Sequence, residues 1–190
     1  MENINYSQLY AKFTKNLLPK TKEIFQRRFG IKAPKGQDGQ ETLESIGESF
    51  RITRERVRQI EEAGFNHVRK NYKEAVESIF SDFKNYFTEK GGFKREDIVL
   101  ADLGGGKNKP YVLFLLSMGK GEFSRVSGKK DYHNFWSVMD TSEVTVSEML
   151  NTLIADIESH GKVMSEQEIL DTVAKKYNLN EGALASYLEV

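Results

Sequence analysis

The stretch TLESIGESFRITRERVRQIE, residues 42–61, decides the fold of this chain because it contains two helical patterns separated by a short break. Apolar residues recur at intervals of three and four on both sides of the break, which is the spacing of one buried helical face. They are Leu43, Ile46 and Phe50 before the break, and Val57 and Ile60 after it. The stretch therefore predicts a helix, a tight turn and a second helix.

Three residues support the turn between these helices. Gly47 would let the second helix cross the first closely, and Ile52 would plug the turn. Thr53 is suited to the N-cap of the second helix because its hydroxyl can accept a hydrogen bond from a free backbone amide. The second helix is therefore expected to follow Thr53 directly.

The second helix is expected to carry a polar face opposite its apolar one. At about 100° per residue, Arg54, Glu55, Arg58 and Gln59 fall within a sector of roughly 140°. Guanidinium groups suit guanine, a carboxylate suits cytosine and an amide suits adenine, so this face has the chemistry to read DNA bases. A solvated face in an ordinary helical bundle is the alternative, because helix-turn-helix spacing alone is a weak signal.

Two more helices are predicted before this stretch. Apolar residues in 6–17 are spaced as one helical face, and Pro19 breaks or restarts the helix. A second apolar run, residues 21–29, is stopped by Gly30. Residues 33–40 contain proline and glycine among polar residues and are predicted to form a loop.

Three strings within residues 17–73 carry a family resemblance. LPKTKEIFQRRFG at 18–30, TLESIG at 42–47 and TRERVRQIE at 53–61 resemble region 4 of the sigma-70 family, in order and at nearly the same spacing. The resemblance implies that the second helix enters the major groove of the −35 promoter element. It also implies that the first part of the module docks on the flap of the RNA polymerase β subunit.

The same resemblance implies two sets of DNA contacts and one set of polymerase contacts. The base-reading set is Arg54, Glu55 and Gln59. The set that touches the DNA backbone, or in part a partner protein, is Thr53, Arg56 and Arg58. The polymerase-docking set is Ile24, Phe25 and Phe29, for each of which core packing is the alternative.

The chain departs from the family pattern in several places. The position of Arg51 favours Gly, Asn or Asp because it needs a positive φ, so an arginine there costs about 1 kcal/mol. Gly64 weakens the second helix where the family usually has Ala, and the loop at 31–40 is slightly long. No helix resembling the promoter-melting region 2 precedes the module. We therefore expect an accessory regulator rather than a working sigma factor.

The formal net charge of zero hides two parts of opposite sign. Residues 1–73 carry 15 Lys and Arg against 9 Asp and Glu, whereas residues 74–190 carry 13 against 19. The basic part suits a polyanion such as DNA, and the acidic part suits a protein partner or a solvated surface. With no cysteine and three scattered histidines, neither a disulfide nor a metal site is expected.

Other classes of function are not expected from the sequence. No run approaches the roughly 18 apolar residues of a membrane span, and the polar start lacks the order of a signal peptide, so a cytoplasmic protein is expected. Glycines 104–106 with Lys107 lack the Gly-Lys-Ser/Thr ending of a phosphate-binding loop. No nucleophile has a recognisable base partner, so we expect no enzyme, no cofactor and no small-molecule substrate.

Residues 74–142 are predicted to form a winged-helix-like domain of three helices plus a β-hairpin. The predicted helices are 75–90, 95–103 and 111–118, and the predicted strands are 123–126 and 134–138. The segment faintly resembles HARE-type winged-helix domains. Arg125, Lys129 and Lys130 would place a basic wing on DNA, and a solvated turn is the alternative.

Residues 143–190 are predicted to form an acidic helical unit that resembles a further helix-turn-helix. TVSE at 145–148 and SEQE at 165–168 have the capping-box pattern that opens a helix, and Asn178 would turn the chain into a last helix. Its acidic composition should repel DNA. No wing follows, which raises the hypothesis that the natural chain continues past Val190. The whole chain is thus predicted to be mainly α, with domains at 1–73, 74–142 and 143–190.

Two functions from different classes fit these observations. The first is a DNA-binding transcription regulator that reads a −35-like element in double-stranded promoter DNA, with docking on RNA polymerase as an additional role. The second is a sigma-mimicking protein that binds polymerase or an anti-sigma factor without reading DNA.

Overall fold

The computed structural model describes residues 4–32, 39–130, 132–138 and 143–190, and it has the mainly α fold that was predicted. The helices among these residues are α1 (Tyr6–Thr14), α2 (Pro19–Phe29), α3 (Leu43–Phe50), α4 (Arg54–Asn71), α5 (Lys73–Glu89), α6 (Glu96–Gly104), α7 (Lys109–Met118), α8 (Glu143–Ser159), α9 (Glu166–Ile169) and α10 (Glu181–Glu189). A π-helical turn (Leu170–Ala174) follows α9 directly. The strands are β1 (Phe93–Arg95), β2 (Phe123–Val126) and β3 (Phe135–Val138).

The chain forms two compact units. Unit 1 comprises residues 1–80 and 100–119, and unit 2 comprises residues 81–99 and 120–190, as far as these ranges are described. The chain passes from unit 1 to unit 2 within α5 and returns within α6. The division of the chain at residues 73 and 142 stays a prediction.

The first two helices of unit 1 have boundaries that follow from local chemistry. Asn5 caps α1 by accepting a hydrogen bond from the Gln8 amide at 3.1 Å. Helix α2 begins at Pro19, two residues earlier than predicted, because the fixed φ and missing amide of proline suit the first turn of a helix. It ends at Gly30 in the left-handed conformation (φ 68°), as the glycine stop predicted. Of the predicted loop 33–40, residues 33–38 lie outside the described residues.

The core of unit 1 is built around five aromatic rings, Tyr10, Phe25, Phe29, Phe65 and Phe114, which we call the aromatic cluster. Phe25 stacks on Phe65 with ring centroids 4.9 Å apart. Phe114 of α7 lies 5.1–5.6 Å from the other four rings, mostly edge to face. Such pairs contribute about 0.5–1.5 kcal/mol each beyond the burial of their surface. Helix α7 is thus part of the same core as α1, α2 and α4.

Unit 2 contains a three-stranded antiparallel sheet in the order β1-β3-β2. The predicted hairpin is confirmed, because Phe123 of β2 pairs with Val138 of β3. Strand β1 was missed. The run from Arg95 was predicted to be helical, but Arg95 is the last residue of β1 and pairs with Phe135. A three-residue strand is too short to show an alternating pattern of its own.

One of the two predicted capping boxes, and the predicted turn at Asn178, are confirmed in the last part of unit 2. Helix α8 begins at Glu143, so Thr145 lies inside its first turn and the capping box predicted at 145–148 is wrong. The box at 165–168 is confirmed: the Ser165 amide donates to the Glu168 carboxylate at 2.8 Å, and the Glu168 amide donates to the Ser165 hydroxyl at 3.3 Å. Asn178 turns the chain with φ 54°, as predicted.

These helices pack on the sheet to form the core of unit 2. Its buried side chains include Phe93, Phe135, Val146, Leu153, Val173, Leu184 and Tyr187. The sheet and the helices that follow it thus share one apolar core.

Candidate nucleic-acid interface

The turn between α3 and α4 is tight and closed by backbone hydrogen bonds. The Ile52 amide donates to the Gly47 carbonyl at 2.9 Å, and Arg51 is left-handed (φ 54°, ψ 44°) as its position required. A Cβ on Gly47 would lie 2.7 Å from the Ile52 carbonyl oxygen. Gly47 therefore admits the backbone of the turn and the start of the crossing helix, because the Arg54 amide lies 3.4 Å from the same Cβ position.

Helix α4 begins at Arg54, and Thr53 is its N-cap. The Thr53 hydroxyl accepts a hydrogen bond from the Arg56 amide at 3.1 Å, as predicted. A threonine cap contributes roughly 1 kcal/mol relative to alanine. The start of the candidate recognition helix is thus fixed by its own sequence.

A small apolar core holds α4 against α2 and α3. Ile24, Ile46 and Val57 are fully buried in it. The half-buried side chains that pack around them are Leu43, Phe50, Ile52 and Ile60. Burying a side chain such as Val57 contributes about 1.5–3 kcal/mol. The predicted apolar face of α4 is therefore its inner face.

Gly64 has a packing role that the sequence did not reveal. A Cβ at this position would lie 2.7 Å from both Phe25 Cζ and Thr21 Cγ2. The glycine lets α4 approach α2 closely, so the cost in helix propensity is offset by contact between the two helices.

The opposite face of α4 presents the predicted DNA-contacting side chains to solvent. Arg54, Glu55, Arg56, Arg58 and Gln59 are all exposed. Arg58 donates two hydrogen bonds to the Glu55 carboxylate at 2.8 and 2.9 Å, and Arg56 donates to Gln59 Oε1 at 3.2 Å. Gln59 Nε2 donates weakly to Glu55 at 3.4 Å. The structure thus brings the predicted base-reading and backbone sets together on one surface.

The pairing within this surface is weak enough to be exchanged for a ligand. Hydrogen bonding from Arg58 lowers the pKa of Glu55 and raises that of Arg58, so both groups stay charged at neutral pH. Pairs between exposed side chains one turn apart on a helix add little stability, because water screens the charges. Binding a polar partner such as DNA would therefore cost little in lost internal contacts.

Two acidic residues that the sequence reasoning did not single out pair with arginines of unit 1. Glu44 of α3 lies 3.7 Å from the Arg54 guanidinium. Glu41 accepts two hydrogen bonds from Arg27 at 2.6 and 2.7 Å, and Arg27 also donates to the Ser49 hydroxyl at 2.7 Å. Glu44 and Arg54 lie on different helices and Glu41 lies before α3, so helical spacing gave no signal for these pairs.

The three residues predicted to dock polymerase lie in the interior of unit 1. Ile24 and Phe25 are 0% exposed and Phe29 is 3% exposed. Phe25 and Phe29 contact Phe114 of α7 within the aromatic cluster. Their observed environment is that of core residues, and the docking role stays a prediction.

The predicted basic wing of unit 2 is partly engaged by its own neighbours. Arg125 donates to both carboxylate oxygens of Glu96, one of them at 2.6 Å, and Trp136 Nε1 donates to the same carboxylate at 2.8 Å. Lys129 Nζ lies 5.8 Å from the centre of the Tyr132 ring, and Lys130 is exposed. Asp131, the last residue of the predicted turn, lies outside the described residues.

Neither a metal-binding cluster nor a membrane-spanning helix is present among the described residues. No group of three or more Asp, Glu or His side chains in the described ranges is placed to hold a metal ion. Within the same ranges, no helix is both long and apolar enough to cross a bilayer.

Residues 15–70 match the family described as Sigma-70, region 4. The match includes α2, α3, the turn and nearly all of α4, and it covers less than a third of the chain. No solved structure matches the chain. The family match ends before the segment that resembles HARE-type domains, so that resemblance stays a prediction.

Proposed function

We propose, from the premise that residues 15–70 are a DNA-binding helix-turn-helix related to sigma factors, that this chain regulates transcription by reading a −35-like promoter element. In this proposal Arg54, Glu55 and Gln59 contact base edges in the major groove of double-stranded DNA. Thr53, Arg56 and Arg58 contact the backbone and fix the register. Such a role would require the protein to work in the cytoplasm of a bacterial cell.

One observation carries the proposal. The exposed face of α4 combines both arginine and acceptor groups, and these groups are paired mainly with one another across single helical turns. A purely basic face would hold phosphates without distinguishing sequences, whereas this mixture has a partner for more than one base.

The test is fluorescence anisotropy of a labelled duplex carrying a −35 consensus against a scrambled duplex, across a salt series. We expect Arg54→Ala and Gln59→Ala each to cost about 1–3 kcal/mol on the consensus and to relax the preference for it. Lys70→Ala is the matched control, because Lys70 is exposed on the same helix about 24 Å from Arg54. If both test variants bound every duplex as the unchanged chain does, the base-reading assignment would be wrong.

Docking on RNA polymerase is a second proposal, alone or together with DNA binding. The excess of acidic residues in 74–190 favours a protein partner for that part of the chain. Docking through Phe25 and Phe29 would require α7 to move, because Phe114 covers these rings. Exposed side chains are therefore better placed for a polymerase contact.

Co-purification with RNA polymerase tests this second proposal. Binding to polymerase without any duplex binding at low salt would select the sigma-mimicking role. Phe114→Leu, which thins the cover over Phe25 and Phe29 with less loss of volume than alanine, should strengthen polymerase binding if these two residues dock. Equal binding by this variant would assign docking to another surface.

A further inference from the structure

Arg51 occupies a position in the turn whose backbone conformation favours glycine or asparagine. Its φ of 54° and ψ of 44° are left-handed values that cost most side chains energy. Among the described residues, Asn178 is the one other non-glycine residue with positive φ, also 54°. Asparagine tolerates this conformation because its short polar side chain can bond locally. An arginine has no such local advantage.

The turn itself gives no reason for an arginine at this position. The Arg51 amide donates to the carbonyls of Gly47 and Glu48, and the Ile52 amide donates to Gly47. These are backbone contacts that any residue except proline makes. Glycine or asparagine would therefore close the same turn with less strain.

The surroundings of the Arg51 side chain give no structural reason either. The side chain is exposed, and no hydrogen bond or ion pair joins it to another residue in the described ranges. It lies two residues before Thr53, the cap that the proposed function places against the DNA backbone. Two residues span at most about 7 Å, and the long arginine side chain extends the reach further.

We propose that Arg51 binds a phosphate of the DNA backbone beside the base-reading face. The inference rests on the proposed DNA binding by α4 and adds a cation, outside the helix, to the backbone set. A guanidinium forms strong charge-assisted hydrogen bonds with phosphate, and strained residues are found where a ligand contact compensates their cost. Because phosphates are the same in every sequence, this contact adds affinity and no base preference.

The experiment compares Arg51→Asn with Arg51→Lys in the full chain, using the consensus and scrambled duplexes across a salt series. Arg51→Asn should raise Tm by about 2–4 °C, because the strain is relieved, and should weaken both duplexes by the same factor. It should also reduce the slope of log affinity against log salt by about 0.9. The factor by which Arg51→Asn weakens binding should accordingly be about 3.5 times larger at 50 mM salt than at 200 mM salt. Arg51→Lys should keep the slope and the Tm of the unchanged chain.

Each outcome decides a different point. If Arg51→Asn raises Tm but leaves the salt slope unchanged, Arg51 does not bind phosphate, and the proposed function stands. If the unchanged chain shows no salt-dependent binding to either duplex, both the inference and the proposed function fail.

Discussion

The turn before α4 and the turn before α10 have the same backbone plan. In each, a left-handed residue stands two positions before the N-cap: Arg51 before Thr53, and Asn178 before Asn180. Each N-cap side chain accepts a hydrogen bond from the amide three residues later, at 3.1 Å for Thr53 and 2.7 Å for Asn180. The further helix-turn-helix predicted at the end of the chain is thus present as geometry.

The two helices that follow these turns differ in how much of their surface faces solvent. The first turns of α4 expose the charged and amide side chains of the candidate interface. At the corresponding positions of α10, Ala183 and Ser186 are buried, and the Ser186 hydroxyl donates to the Lys90 carbonyl at 2.8 Å. The same turn geometry therefore precedes an exposed candidate interface in one unit and a core element in the other. A helix-turn-helix geometry does not by itself make a DNA reader.

The largest expected effect tests whether α10 is held in the core of unit 2 by its buried side chains. Leu184 is 1% exposed, so Leu184→Ala should lower the free energy of unfolding by about 2–5 kcal/mol. Leu188→Ala is the matched control, because Leu188 lies on the same helix and is 46% exposed. Chemical denaturation measures both. Equal, small losses would mean that α10 is not held in the core and that the contrast with α4 is wrong.

A smaller effect on stability is expected from substituting the second residue of α10, and it can be compared with the second residue of α4. A Cβ on Gly182 would lie 2.4 Å from the Glu89 carbonyl oxygen, so Gly182→Ala should destabilise the chain by about 1–3 kcal/mol. Glu55 occupies the corresponding position in α4 and is exposed, so Glu55→Ala should destabilise the chain much less than Gly182→Ala. Thermal unfolding of the two variants compares them directly. A neutral Gly182→Ala would show that α10 can move away from α5 without cost.

Substituting the two N-caps should separate an effect on the stability of the fold from an effect on duplex binding. Thr53→Ala and Asn180→Ala should each cost roughly 1 kcal/mol of stability, because each removes one cap hydrogen bond. Only Thr53→Ala should also weaken duplex binding in the anisotropy assay. Thr53→Ser keeps the hydroxyl and serves as the control that should restore both properties. An equal effect of both alanine variants on duplex affinity would contradict the assignment of reading to α4.

The smallest effect is the change in stability with pH that comes from Glu168, in the helix before the turn to α10. Hydrogen bonds from Lys162 and Ser165 lower the pKa of Glu168 from its ordinary 4.5 to about 2. A carboxyl whose folded pKa is depressed adds stability above its unfolded pKa, and this contribution is lost as pH falls from about 4.5 to about 2. Amide resonances of 165–168 in the folded protein should therefore shift with a midpoint near pH 2 in NMR titrations. Glu168→Gln should abolish the shift, and a wild-type midpoint near 4.5 would refute the bonded carboxylate.

Local chemistry explains which features could be predicted from the sequence. Gly30, Thr53, Ser165 and Asn178 act through neighbours within a few residues, so their patterns predicted the right stops, caps and turn. The exposed face of α4 was predictable for the same reason, because a helix converts spacing directly into direction.

Contacts between distant residues explain what was missed. Strand β1 exists because Phe93 pairs with Ser137, far along the chain, and nothing within three residues indicates that pairing. Gly64 was interpreted as a weak point because its neighbours Thr21 and Phe25 lie on another helix. The pair of Glu44 and Arg54 was missed for the same reason.

The place of Phe114 in the aromatic cluster has a consequence for how the protein is made. Phe65 and Phe114 share one core but are about 50 residues apart, and synthesis at about 5–20 residues per second separates them by roughly 2–10 s. During that interval the rings of Tyr10, Phe25, Phe29 and Phe65 have no α7 to cover them. The nascent chain therefore carries an exposed apolar surface for seconds, and a chaperone that binds such surfaces would meet it before α7 has been made.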